Sequence, residues 1–309
     1  MKQNLLKTLD EKKIFKLVLG LGNQDFEEIE DLVTVYAIAG ADMFDINPSK
    51  EAIEAVLRGV KKAGRQIEEF YYTISTGLLG DSHVQKCHID KNKCKRCGKC
   101  IKKCPRNAIE WNGEFPEVIV QKCIGCKKCD DCKAISFNDT EYNIEEIVKL
   151  AKKYKLDCVE LHISSKKIPE QEIKYVLKEF SGALSVCLDR KYYSNERIKK
   201  LINKIIKWKQ DSKFIIQADG VPMSGGDDTF KSTLQAVAMA HLVQDYGTYI
   251  FMSGGTNTKT AWLAKTCELR YNGIGIGSYA RKIVKNKKLE EAVHEAEKLI
   301  KACKNDRED

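Results

Sequence analysis

Proline is scarce in this 309-residue chain, with only 5 residues, and glycine adds no more than 20. So few breakers exclude a collagen-like repeat, and a hydrophobic share of 43% is too high for a disordered chain. Long apolar runs are missing as well. Nowhere do about eighteen such residues stand together, so neither a membrane span nor a membrane partner is expected. The amino terminus, MKQNLLKTLDEKK, lacks the apolar core of a signal peptide, and a cytoplasmic location is the expectation. Basic motifs interleaved with aromatics are also absent, so the formal charge of +9 does not by itself point to nucleic acid.

Cysteine, by contrast, is abundant: 13 residues, most of them crowded between Cys87 and Cys132. In a reducing compartment such spacing favours metal ligation over disulfides. Cys94, Cys97, Cys100 and Cys104, followed by Pro105, form the CxxCxxCxxxCP run of bacterial ferredoxins; Cys123, Cys126, Cys129 and Cys132 repeat it. In that pattern three close thiolates serve one cubane and the fourth reaches the other. Cys94, Cys97, Cys100 and Cys132 are therefore expected to hold one [4Fe-4S] cluster, and Cys123, Cys126, Cys129 and Cys104 a second. Structural zinc is the alternative for CxxC pairs. The step from Cys129 to Cys132 is one residue short, so Cys87 stands as a possible substitute for Cys132 in the first cluster. Cys158, Cys187 and Cys267 read as packing residues and Cys303 as a tail residue.

Much of the positive charge lies beside these cysteines, at Lys86, Lys91, Lys93, Lys95, Arg96, Lys99, Lys102, Lys103 and Arg106 against Asp90. Eight thiolates and two cubane cores would contribute roughly −4, so the lysines offset the clusters. They would also form a docking face for an acidic electron carrier of ferredoxin or flavodoxin type.

Outside this segment short apolar runs alternate with amphipathic ones, the pattern of βα units on a parallel sheet. The strand candidates are Phe15–Leu21, Asp42–Asn47, Phe70–Thr76, Cys158–Ser164, Leu184–Asp189, Phe214–Asp219, Tyr249–Ser253 and Gly273–Gly277. Each precedes a helical pattern, such as DFEEIEDLVTVYAIAG with acids in its first turn and Gly40 as its stop. The count fits a (β/α)8 TIM-like barrel, with an open doubly wound sheet as the alternative. The cysteine segment interrupts the alternation after the third strand. Residues 1–79 and 141–309 are then the two parts of the barrel, and 80–140 a ferredoxin-like insertion on the strand-end face, where barrels carry function.

Side chains two apart share a face of a strand. That places Asp45, Asn47, Glu160, His162, Asp189, Gln217 and Asp219 toward the interior, with Lys16 as counter-charge. Isolated buried carboxylates cost several kcal/mol, so their convergence suggests a site. Glu160, His162, Asp219, Asp45 and Lys16 are the catalytic candidates, the acid–imidazole pair being suited to proton transfer. Ser253, Gly254, Gly255, Thr256 and Asn257, with Gly277 and Ser278, stand after the last two strands, where barrels bind phosphate, so FMN or a phosphorylated small molecule is a candidate ligand. The loop 220–228 reads as a lid, with Asp228 or Thr229 capping the next helix.

The motifs GLGNQDFEEIEDL, the double cysteine array, VELH, QADGVPMSGG, SGGTN and GIGIGSYARK, in this order, resemble the light-dependent period protein A family of iron–sulfur proteins. The resemblance implies two iron–sulfur clusters and a role in reporting redox state. It carries over to the cysteines of both arrays, to Asp219, Gly220, Pro222, Met223, Ser224 and Gly225, to Gly254–Asn257, and to Gly277–Arg281. The shortened second array departs from the family's ferredoxin pattern, and no clock role is carried over. The expected function is an iron–sulfur oxidoreductase that delivers electrons to a ligand at the barrel mouth. A redox sensor without turnover, or an auxiliary cluster or sulfur donor for another enzyme, are the alternatives.

Overall fold

A computed structural model describes residues 3–77, 85–139, 143–163, 168–220 and 227–304. Eight parallel strands close a barrel: β1 (Ile14–Val18), β2 (Met43–Ile46), β3 (Tyr71–Gly77), β8 (Cys158–Ile163), β9 (Ala183–Leu188), β10 (Ile215–Asp219), β11 (Tyr249–Ser253) and β12 (Gly273–Ile276). Four further strands, β4 (Gln85–Ile89), β5 (Ile109–Trp111), β6 (Pro116–Val118) and β7 (Ile135–Asp139), lie in the insert between β3 and β8. Every strand expected from the sequence is present, several shifted by a residue or more at their ends.

The alternation that built the expectation also builds the core. Val159, Leu161 and Ile163 of β8 face outward into the main apolar cluster with Leu184, Val186 and Leu188 of β9. Cys158, Glu160 and His162 take the other face. The surrounding helices start where capping residues stand. Asp25 accepts from Glu28 N ahead of α2 (Phe26–Ile38), and Ser49 from Ala52 N ahead of α3 (Lys50–Lys62). Thr229 caps the helix Phe230–Val243 by accepting from Ser232 N, while Asp228 instead accepts from Thr258 N and Oγ1. Residues 221–226 of the expected lid lie outside the described residues.

A short helix missed in the sequence, α1 (Leu5–Glu11), closes the bottom of the barrel. Its Leu5 and Leu9 pack with Ile14, Met43, Tyr71, Cys158, Ile215 and Phe251. The bottom is therefore largely apolar, with a buried hydrogen bond between Thr8 Oγ1 and Tyr71 OH, and the buried carboxylates Asp45, Glu160, Asp189 and Asp219 lie above it toward the strand ends.

The insert has its own small core, made of Cys87, Ile89, Ala108, Ile109, Cys123 and Cys129, with Cys94, Cys100 and Cys104 packed on it. β4 pairs antiparallel with β7 and β5 with β6. The two cysteine arrays repeat in backbone as in sequence. Arg96 and Gly125, equivalent positions, both have left-handed φ (55° and 63°), as do Gly98 and Lys127 (67° and 58°).

Contacts among the described residues dock the insert on the barrel. Arg106 forks onto Glu28, with Nη1 at 2.9 Å from Oε1 and Nη2 at 2.5 Å from Oε2. Lys86 Nζ donates to Gly22 O at 2.5 Å and to Cys123 O at 2.6 Å. Gln24 N donates to Gln121 O at 2.9 Å. Among the described residues no helix is long and apolar enough to cross a membrane.

Candidate functional site

Cys94, Cys97, Cys100 and Cys132 line one cavity of the insert, with Cys129 on the same wall. Cys104, Cys123, Cys126 and Cys129 line a second, narrower cleft, together with Cys87. The one-residue deletion thus leaves Cys132 on the wall shared by the first three cysteines of the other array. Cys87 lies beside the second cleft, and not at the first, where the sequence had offered it as a substitute. Its sulfur is 3.8 Å from that of Cys129. The hydrogen bond between the two draws the Cys129 thiol down to about 7, while the same bond and burial push Cys87 up. The donor sets fit iron–sulfur cubanes chemically, because several sulfurs already accept backbone N–H groups: Arg96 N to Cys94 Sγ at 3.4 Å, Ala108 N to Cys104 Sγ at 3.2 Å and Cys87 N to Cys123 Sγ at 3.4 Å.

The second cleft adjoins a cavity of about 350 Å³ at the barrel mouth. Ile124, Gly125, Cys126 and Lys127 of the insert form one side of it; Asp45, Ser75, His162, Asp189, Gln217 and Asp219 of the barrel form its floor. The volume lies within the range of small-ligand sites.

Beneath the floor runs a buried charge network. Lys16 Nζ donates to Glu160 Oε2 at 2.9 Å and lies 3.5 Å from Asp45 Oδ2. Glu160 also accepts from Ser185 Oγ at 2.7 Å and Ser75 Oγ at 3.3 Å, and its Oε1 is 3.4 Å from His162 Nε2. Ser75 Oγ, whose one hydroxyl proton serves a single carboxylate at a time, is also within hydrogen-bond reach of Asp45 Oδ1. Burial would lower the Lys16 ammonium, but Glu160 and Asp45 outweigh it and hold it above the usual lysine range. Glu160 is pushed up by burial and drawn further down by Lys16 and His162, so it stays ionised. In Asp45 burial wins over Lys16, and its carboxyl is raised. One ammonium serves two carboxylates, and Glu160 takes the larger share.

Asn47 is buried but belongs to a turn, donating to Asn23 O and accepting from Ser49 Oγ. Ser253, Gly254, Gly255, Thr256, Gly277 and Ser278 stand on the cavity wall, whereas Asn257 does not. Its side-chain amide is committed to Asp227 O, Thr229 O and Ser232 Oγ. The two glycines have a steric reason as well. A Cβ on Gly254 (φ +70) would lie 2.6 Å from Gly220 N, and one on Gly255 (φ +79) 2.1 Å from Ser232 O.

Two of the single cysteines differ from expectation in their exposure. Cys267 is exposed, because it falls past the last turn of its helix, and Cys303 is buried at 3% on the inner face of the last helix. Cys187 was read as packing, yet its thiol donates to Asp219 Oδ2 at 3.2 Å and it pairs in register with His162. The same period-two count that found Glu160 and His162 would have found it, since Ser185, Cys187 and Asp189 alternate. No spacing in the sequence announces the Glu28–Arg106 contact.

The family described as the Light dependent period A C-terminal domain matches residues 150–306, and a 4Fe-4S binding domain matches residues 88–110. Light dependent period A of Synechococcus elongatus is 24% identical over 274 residues, covering 83% of this chain and 74% of that one. An uncharacterized ferredoxin of Methanocaldococcus jannaschii is 36% identical over 45 residues, covering 13% of this chain and 58% of that one. Among solved structures, a tryptophan synthase chain of Mycobacterium tuberculosis has a TM-score of 0.51 at 9% identity, covering 98% of this chain and 100% of that one, a likeness of fold alone.

Proposed function

The chain belongs to the Light dependent period A family and carries a 4Fe-4S binding module, and from that premise we propose a redox protein that uses two [4Fe-4S] clusters to exchange electrons with a phosphate-bearing ligand or flavin at the barrel mouth. Cys94, Cys97, Cys100 and Cys132 would hold one cubane, and Cys104, Cys123, Cys126 and Cys129 the other. Such clusters supply one-electron redox chemistry at potentials set by sulfur hydrogen bonds and exposure. The observation that carries the reading is that Cys126 and its neighbours share a cavity with His162, Gln217 and Asp219.

The chain's own residues divide the remaining work. Cys97 is exposed and the cavity around it is rimmed by Lys93, Lys95, Lys99, Lys103 and Lys133, which suits an acidic electron carrier. His162 holds or releases a proton at the cavity floor, with the Glu160 carboxylate beneath it as its charged partner, and Asp219 can receive one at the cavity lining. Lys16 keeps Glu160 ionised, and Asp45 is the neighbouring carboxyl most easily protonated. The wall formed by Ser253–Thr256, Gly277 and Ser278 would meet the ligand's phosphate, with Arg281 and Lys191 on the same lining.

Anaerobically reconstituted protein, titrated with dithionite with and without FMN or a phosphorylated ligand, tests this. Reducible clusters whose electrons reach the added flavin support it. Protein with no reducible iron–sulfur absorption refutes it.

A further inference from the structure

The geometry points to a mononuclear metal site inside the barrel, formed by His162 of β8, Cys187 of β9 and Asp219 of β10, for a borderline-soft divalent ion such as zinc. One ligand atom from each of the three lies within 4.8 Å of the others. Bonds of about 2.0–2.3 Å at tetrahedral angles require ligand separations of roughly 3.3–3.8 Å, so closure by about an ångström suffices. The Cys187 Sγ to Asp219 Oδ2 distance is already 3.2 Å. The placement follows from the sheet, because His162 pairs with Cys187 and Cys187 with Gln217, two residues before Asp219.

The donor types decide the ion. One imidazole, one thiolate and one carboxylate suit zinc and its neighbours; magnesium and calcium require oxygen shells. Binding displaces the Cys187 proton, so a neutral imidazole, a thiolate and a carboxylate neutralise a 2+ ion. A histidine ligand ordinarily has its ring fixed by a carboxylate, a backbone carbonyl or a water on its other nitrogen. Glu160, itself held by Lys16, Ser75 and Ser185, faces His162 Nε2 at 3.4 Å.

Three protein ligands leave a position open, the mark of reactive sites compared with closed structural ones. His162 and Asp219 border the mouth cavity, so that position opens into it. Gln217, 1% exposed and on the same wall, has a buried Oε1 with no hydrogen-bond partner among the described residues, and it can accept from a water or substrate group in that position. The site's existence does not depend on the clusters, since all its donors belong to barrel strands. Its role rests on the mouth being the reaction site, where ligation would replace free proton exchange at His162 and Asp219.

The test uses anaerobic holoprotein whose iron and sulfide have been counted, so that the cysteines of the insert are filled, titrated with Co²⁺. Expected are tetrahedral cobalt bands and a thiolate charge-transfer band saturating at one equivalent, both abolished by Zn²⁺. Cys187→Ser should lose the charge-transfer band. Glu160→Gln should weaken binding by roughly 10- to 100-fold, as for other outer-shell carboxylates. His162→Ala, with His162→Gln as the milder variant, should weaken it at least as much. No cobalt bands in filled holoprotein, or a charge-transfer band that survives Cys187→Ser, overturns the site. Failure of the cluster reading would show separately, in the iron count and in dithionite reduction.

Discussion

Replacing Glu28 with Gln should loosen the insert from the barrel. The carboxylate takes two bonds from Arg106 and one from Asn23 Nδ2 at 2.9 Å, and Arg281 Nε lies 3.2 Å away. The Arg106 side chain is 12% exposed and that of Glu28 28%. Removing one partner of a buried pair costs about 3–5 kcal/mol, and this partial exposure puts the change near the lower end, about 3 kcal/mol. At about 1.4 kcal/mol per factor of ten, opening of the contact should rise by roughly a hundredfold. Native-state hydrogen exchange on anaerobic holoprotein reads this at the Gln24 amide, which is bonded to Gln121 O, and along β4. The pH dependence has a definite sign. Burial pushes the Glu28 carboxyl up, but Arg106 and Arg281 outweigh it and hold it below its ordinary 4.5. The latch is therefore fully present above that value and lost as pH falls through the lower folded one. Glu28→Gln should abolish this acid dependence of opening. Unchanged protection in the variant, or an acid dependence that persists in it, would refute the latch.

Lys16→Met leaves Glu160 and Asp45 without their shared ammonium and should lower stability by about 3–5 kcal/mol, read by denaturant unfolding. Gly255→Ala forces a Cβ against Ser232 O in a left-handed backbone and should cost at least about 2 kcal/mol, with ligand affinity at the mouth falling in parallel. Cys132→Ala should remove one cluster, taking the iron content from roughly eight to roughly four per chain, whereas Cys87→Ala should leave it unchanged. Chelation of the mononuclear metal should leave that iron count intact, measured by elemental analysis.

The barrel was readable because a parallel strand covered by helices writes its period into the sequence. In β8 the outward Val159, Leu161 and Ile163 alternate with Cys158, Glu160 and His162, and one count gives both core and site. The cysteine arrays were readable because covalent ligation tolerates little variation in spacing. What stayed hidden depends on three dimensions. α1 is only a 7-residue segment, and its assignment comes from the barrel bottom it plugs. Glu28 and Arg106 are distant in sequence, and nothing local marks them as partners. Cys187 is buried, as its residue type suggested, but its place beside His162 and Asp219 follows only from the register of neighbouring strands. Asn257 was misread, since a polar residue after a strand can serve the loop as easily as a ligand.

Anomalous diffraction at the iron edge, on crystals of anaerobically purified protein, bears most directly on the claim that a second cubane adjoins the barrel mouth. Two compact iron peaks are expected, one among Cys94, Cys97, Cys100 and Cys132, the other among Cys104, Cys123, Cys126 and Cys129 beside the cavity that His162 and Asp219 line. A single peak, a zinc edge at these cysteines, or a second peak remote from Cys126 would contradict it.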